Sequence, residues 1–358
     1  MPPAVVRTGR STFLAMIDRW AAEGIARLDE DLARQGATPL RPFPLPAAWG
    51  VRLWLKDESV HPTGGLKHRL ARAIFRTALA AGRIGRGTAV VDAVGGTMAV
   101  AEAYFARLLG LPYTAVMPRG STGAEVERLG GSVRHVHPPV AVYGEASRLA
   151  EEMGGHYLDY YASAATVDWQ GGGLAVELLD QVDRCPAWIV VGAGTGATSA
   201  AIGRMLRERR LPARLAVVDP ENSAYFPGWT LGAADYGTGM PSRIDGIGRP
   251  RMEPAFDPDV VDMVVPVPDA ASVAAARRVR EVTGSAVGPA AGTNLWGALE
   301  LVTRMRDRDE PGDVITLIGD AGERHLHRCH DDAWAEAAGL DWRPHAARLS
   351  RLLGAERP

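Results

Sequence analysis

Short apolar runs of strand length alternate with helix-length amphipathic stretches along most of the chain, and no other feature limits the fold as strongly. The runs are VRLWLK (51–56), TAVVDAV (88–94), YTAVMP (113–118), VRHVH (133–137), AWIVVGAG (187–194), RLAVVDP (214–220), DMVVPVP (262–268) and DVITLIGD (313–320). Between them, 68–82 repeats Leu70, Ile74, Phe75, Ala78 and Leu79 at helical spacing, and 97–109, 197–210, 270–283 and 292–306 read the same way. Continuous apolar strands separated by helices predict parallel sheets covered on both faces, an α/β fold. In such sheets ligands sit beyond the carboxyl ends of the strands, where Gly-rich turns lead into helices. The length of 358 residues suits two such units. A boundary near GGHYLDYYASAA (154–165) predicts an N-terminal domain over 1–158 and a C-terminal one over 159–358. RPFPLPAAWG (41–50) reads as a connector, and 222–248 as a long Gly-rich, aromatic loop of the kind that is functional or mobile.

Composition removes several function classes. A net charge of -2 gives no electrostatic reason to bind nucleic acid or an anionic membrane. No run of eighteen apolar residues predicts a membrane span, and the first twenty residues lack the apolar core of a leader peptide. Two cysteines, Cys185 and Cys329, make no disulfide framework, which fits a reducing cytoplasm. There is no repeat of 20 to 50 residues and no low-complexity tract.

Of 40 Lys plus Arg, only Lys56 and Lys67 are lysine, and both lie in LKDESVHPTGGLKHRLAR (55–72). Lys56 closes a predicted strand beside Asp57 and Glu58, and an ion pair there is the expectation. Lys67 follows the PTGG turn and opens a predicted helix. The positive end of a helix disfavours an ammonium and favours the neutral, nucleophilic amine. Such an amine forms a Schiff base with an aldehyde, which a guanidinium cannot do. The competing reading is an exposed helix lysine.

Three glycine turns accompany it. VVGAGTGATSAAIGRML (190–206) is a strand, a turn and a helix, the arrangement that cradles phosphate on backbone N–H groups; a tight turn without a ligand reads equally well. GAGTGA also matches the dinucleotide pattern, with Asp219 as its ribose acid, but it does not follow a first strand. DAVGGTMAVAEAYFARLLG (92–110) and RIDGIGRP (243–250) supply the others. A Schiff-base lysine with a separate phosphate cradle points to pyridoxal 5'-phosphate (PLP).

KDESVHPTGGLKHRLA, GAGTGAT, DGIGRP and GDAGERHL together resemble, in order, the lysine segment, phosphate loop, glycine turn and C-terminal motif of the cysteine synthase and cystathionine β-synthase family, the β family of PLP enzymes of fold type II. Within it, AEAYFARLLG, VVDPENSAYF and GTNLWGALEL look closest to the cysteine desulfhydrase branch. The resemblance implies the tryptophan synthase β-like fold, two parallel-sheet α/β domains with the cofactor between them, a mobile part over about 88–150, and a cytoplasmic homodimer. It implies that Lys67 holds PLP as a Schiff base and moves the substrate's α proton. Gly194, Thr195, Gly196, Ala197 and Thr198 are implied phosphate ligands, and Gly246 and Ile247 line the cofactor edge. It implies an amino-acid substrate, no metal, and loss of the β-substituent to leave an aminoacrylate.

Two departures from the family stand out. Its substrate-carboxylate loop carries several hydroxyls, where this chain reads Val94, Gly95, Gly96, Thr97, Met98. Only Thr97 remains, at the position that meets the PLP ring hydroxyl, and Met98 adds bulk. Where the family has a serine facing the pyridine nitrogen stands Ala290, leaving Thr293 or Asp320 as replacements. Three functions follow, in order: α,β-elimination on cysteine or a similar amino acid with an altered pocket; a β-replacement synthase; and a non-catalytic partner or regulatory subunit. Among other candidates, His327 and His330 with His325 and Cys329 are set down as a polar surface helix in preference to a metal site, and His135 and His137 as one face of a strand. His61 is a candidate for the pocket wall. Tyr225, Phe226 and Trp229 either cover the substrate or form an apolar surface or dimer contact.

Overall fold

The computed structural model describes residues 18–167 and 173–354, so the opening stretch examined for a leader lies outside it up to residue 17. The first half of the chain runs α1 (Arg19–Gln35), β1 (Leu40–Phe43), β2 (Val51–Asp57), α2 (Lys67–Ala80), β3 (Val90–Ala93), α3 (Gly96–Leu109) and β4 (Tyr113–Pro118). It continues with α4 (Ala124–Arg128), β5 (Ser132–Val136), α5 (Val142–Glu152), β6 (His156–Tyr157) and α6 (Tyr160–Ala164). The second half runs α7 (Leu174–Asp180), β7 (Trp188–Gly192), α8 (Ala197–Glu208), β8 (Arg214–Pro220), α9 (Tyr225–Leu231) and β9 (Met263–Val267). It ends with α10 (Asp269–Thr283), α11 (Pro289–Arg306), β10 (Gly312–Ile318), α12 (Asp332–Ala337) and α13 (Arg343–Leu352).

These elements form two compact units. Among the described residues, the first comprises those up to Gly36 and His68–Ser163, and the second Ala37–Lys67 and those from Ala164 onward. The first unit holds a four-stranded parallel sheet in the order β5-β4-β3-β6. On one face Val91, Ala93 and Val116 pack against Val142, Ala146 and Ala150 of α5.

The second unit holds six strands in the order β1-β2-β10-β7-β8-β9, parallel except for the edge strand β1. Its strands alternate strictly between faces, as the two-residue period requires. Val190, Ala216 and Val218 pack with α10 and α11 on one face, while Ile189, Val191, Leu215 and Val217 pack with α7 and α8 on the other.

One boundary is expected near 158; the chain passes between the two units three times, after Gly36, Lys67 and Ser163. Residues 37–67 join the C-terminal unit because β2 pairs with β10 along its whole length, from Gly312↔Val51 to Ile318↔Asp57. The predicted connector 41–50 in fact begins with β1, and the predicted loop 222–248 contains α9.

Candidate active site

Three neighbouring strands of the second unit end at one place. The sheet reverses direction between β7 and β10: β8 and β9 extend it one way, and the chain returns through α10 and α11 to add β10 on the other side. Such a switch point opens a crevice at the strands' carboxyl ends. After β2, the PTGG turn is fastened to the end of β10, with Leu66 N–H donating to Gly319 O at 2.8 Å and Ala321 N–H to Gly64 O at 2.8 Å. A Cβ on Gly65 would lie 2.7 Å from Gly319 O, so the lysine turn meets this strand end only because residue 65 is glycine. Lys67 is thereby set at the first position of α2.

After β7 comes the turn Gly192–Gly196, which opens α8 with a glycine at the N-cap and so no cap from that residue's side chain. Gly196 has φ +89°, and a Cβ there would fall 2.5 Å from Phe256 Cα; one on Gly194 would fall 2.5 Å from Gly246 O. Gly248 N–H donates to Ala193 O at 2.8 Å, which locks the Gly246 turn to the α8 turn. Tyr225, fully buried, donates its hydroxyl to Gly194 O at 2.5 Å and stacks on Phe256 at 4.4 Å. It braces the glycine turn from behind and does not cover a substrate. Asp219 accepts from Phe226 N–H at 2.7 Å, an anchor for α9, and burial raises its carboxyl to about 6.

Lys67 Nζ has no hydrogen bond or ion pair among the described residues, and a Cβ on Gly246 would lie 3.9 Å from it. Burial pushes its pKa below the ordinary lysine value; Asp320 and Asp245 work against that shift, and Arg324 and Arg249 add to it. The leading cause of the lowered pKa is thus burial, where the helix end was expected. After β10, Asp320 Oδ2 accepts from His325 Nε2 at 3.0 Å. Its other oxygen, Oδ1, is buried without a partner among the described residues. His325 is 1% exposed and belongs to a short 3-10 turn (Glu323–His325), which corrects the expected polar surface helix. No three metal-ligating side chains cluster among the described residues.

The sequence profile described as "Pyridoxal-phosphate dependent enzyme" matches residues 32–320. The chain belongs to that family. It is 49% identical over 343 residues to a Mycobacterium tuberculosis protein named L-cysteine desulfhydrase Cds1, covering 92% of this chain and 93% of that one. It is 29% identical over 303 residues to a Ralstonia nicotianae N-(2-amino-2-carboxyethyl)-L-glutamate synthase, covering 79% and 84%. Among solved structures, O-ureido-L-serine synthase superposes with a TM-score of 0.69 at 23% identity over 89% of this chain and 99% of that one, a likeness of fold.

The family's cofactor is PLP, and the second unit fits it. It offers an amine at Lys67 with no partner among the described residues and a helix start whose glycines leave no room for side chains. Within that turn Gly194, Thr195 and Thr198 keep accessible surface while Gly196 and Ala197 are buried, and Thr195 Oγ1 accepts from Ala197 N–H at 3.2 Å. Gly246 is exposed, Ile247 half-buried and Ala290 buried. In the first unit, Gly95 and Gly96 are exposed and Thr97 half-buried at the start of α3. Val94 and Met98 are buried, Met98 completely, so the bulk expected at Met98 lies in the interior.

Lys56 departs from its expected pairing with Asp57 or Glu58. It is fully buried and ion-paired to Glu177 of α7, and it donates to Thr38 O and Gln181 Oε1, each at 2.7 Å. Asp57 is held instead by Arg41, and Glu58 by Thr38 and His61. His61, 6% exposed, belongs to this buried network.

Proposed function

We propose that this chain is a PLP-dependent lyase that removes the β-substituent of cysteine or a cysteine-like amino acid. The observation that carries the reading is the burial-shifted amine of Lys67, without a partner among the described residues, near the Gly246 turn that is locked to the glycine turn of α8. The relative named L-cysteine desulfhydrase, nearly half identical across almost the whole chain, supports cysteine as the substrate. The overall change is cysteine plus water to hydrogen sulfide, pyruvate and ammonia. We assign the cofactor's phosphate to the N–H groups of Gly194–Thr198 and its edge to Gly246 and Ile247.

When bound, PLP supplies an electron sink that lets the substrate's Cα–H bond break. Lys67 Nζ, whose pKa burial lowers, takes that proton, and a proton is returned to the departing sulfur as the C–S bond breaks. An arginine at 67 would stay protonated and do neither. The enzyme works on a free amino acid in the cytoplasm as a homodimer, which its sedimentation would report.

The test is to add cysteine to the PLP-loaded protein and follow sulfide and pyruvate. Equal release of both is expected, with Lys67→Ala lowering the rate about a hundred- to ten-thousandfold. Turnover that demands a second nucleophile would instead identify a β-replacement synthase; the Ralstonia relative carries the word synthase in its name.

A further inference from the structure

We infer that His61 and Glu58, a buried side-chain pair at the foot of the PTGG turn, are positioning residues that set where Lys67 presents its amine. The inference rests on the reading above that Lys67 is the reacting group. Glu58 opens a short 3-10 turn (Glu58–Val60), His61 closes it, and Lys67 follows six residues later.

The segment is held at both ends. Its far end is tied through backbone at Gly64, Gly65 and Leu66 to the end of β10. Its near end is held by side chains. His61 Nε2 meets Glu58 Oε2 at 3.0 Å, and Thr38 donates its hydroxyl to Glu58 Oε1 at 2.6 Å. The Thr38 N–H donates to Glu177 Oε1 at 2.7 Å; Glu177 is ion-paired to Lys56, which donates to Thr38 O at 2.7 Å. The carbonyl of His61 accepts from Gly64 N–H at 2.7 Å, so the restraint on the imidazole passes through one residue's backbone to the first glycine of the lysine turn. The two lysines of the chain are thereby coupled, Lys56 holding the polar groups that hold the turn of Lys67.

Glu58 and Lys56 are fully buried, and Thr38 and His61 nearly so. Burying such groups costs free energy that their pairing only offsets, and apolar side chains could fill the same space. What a fully paired network adds is a single geometry, because its members lose partners when the segment shifts. The segment that gains this geometry carries the one amine whose chemistry depends on place. Burial is the first cause that lowers the pKa of Lys67; Asp320 and Asp245 oppose it, and Arg324 and Arg249 add to it. A turn that drifts outward returns the amine to water.

The test takes the full chain freed of PLP and follows, by mass spectrometry, the labelling of Lys67 by acetic anhydride as pH is varied. Lys67 keeps accessible surface and Lys56 has none, so a single lysine reports. The native midpoint is expected below that of an ordinary lysine. His61→Ala should raise it by about one pH unit, which lowers labelling at a pH below both midpoints about tenfold. His61→Gln, whose amide nitrogen can stand where Nε2 stands, should restore it. Gly232→Ala strains the same unit, with nothing within 4 Å of the added Cβ, and should leave the midpoint unmoved. A native midpoint at the ordinary lysine value overturns the inference. So does a His61→Ala midpoint equal to the native one, or a shift that Gly232→Ala reproduces. Midpoints that move as expected in a protein that takes up no PLP uphold this inference and overturn the functional reading alone; unmoved midpoints in a protein that releases sulfide from cysteine do the reverse.

Discussion

The two lysines occupy environments that arginine would not suit, for opposite reasons. Lys67 has no hydrogen bond or ion pair among the described residues, which suits the reactive amine proposed for it. Lys56 is sunk among acceptors and carries three contacts inside the protein: Glu177, Thr38 O and Gln181. Three donors on a compact ammonium match three acceptors, whereas a planar guanidinium has a different shape and size. Lys56→Met should therefore leave the Glu177 carboxylate without its cation and destabilise the second unit by about 3–5 kcal/mol. Urea unfolding of the native and variant proteins at one pH measures this, and a change under about 1 kcal/mol would contradict the role. The uniqueness of these lysines was legible in the sequence; the partner of Lys56, more than a hundred residues away, was not, because a local acidic pair masked it.

At the scale of elements, parallel strands were easy to read because burial on both faces makes them continuously apolar, and β4 and β8 fall on the predicted residues. The strands missed, β1 and β6, are short; one contains proline and the other only two residues. Edge and two-residue strands depend on a neighbour and leave little pattern of their own. The glycine turn before α8 was legible as a possible cradle, but what makes its glycines necessary is the tertiary approach of Phe256 and Gly246. That distinction gives a paired prediction. Gly196→Ala meets both a positive φ and the Phe256 backbone, and should lower stability by about 2–4 kcal/mol and weaken PLP uptake. Gly232→Ala, at φ +65° with nothing within 4 Å, carries backbone strain alone, roughly 1–2 kcal/mol, and should leave uptake intact. Thermal melting with PLP titration compares the two.

Across the whole molecule, the division into two units was legible only in part, since strand pairing between β2 and β10 joins residues some 260 apart in sequence and no local signal announces it. Nor did the sequence show that the first unit has a titratable interior. Asp92, on the central strand β3, accepts from Ala93 N–H at 2.8 Å and Tyr160 N–H at 3.3 Å, and Tyr113 donates to Glu102 Oε2 at 2.8 Å nearby. Burial raises the Asp92 carboxyl from its ordinary 3.8 to about 7, although hydrogen bonds from Glu102 and the two backbone groups oppose the shift. Because the folded pKa is raised, the native state binds more protons than the unfolded chain between those values, and stability falls as pH rises through that window. The first unit should thus be less stable at pH 8 than at pH 5, by on the order of 3 kcal/mol. Hydrogen exchange of the β3 and β4 amides, referenced for the intrinsic pH dependence of exchange, should show protection declining over this range. Asp92→Asn, which retains an acceptor for the backbone but has no proton to lose, should flatten the decline while the second unit's amides remain unaffected. A first unit equally protected at both pH values, or a variant with the native slope, would mean that the Asp92 carboxyl is not the group being ionised.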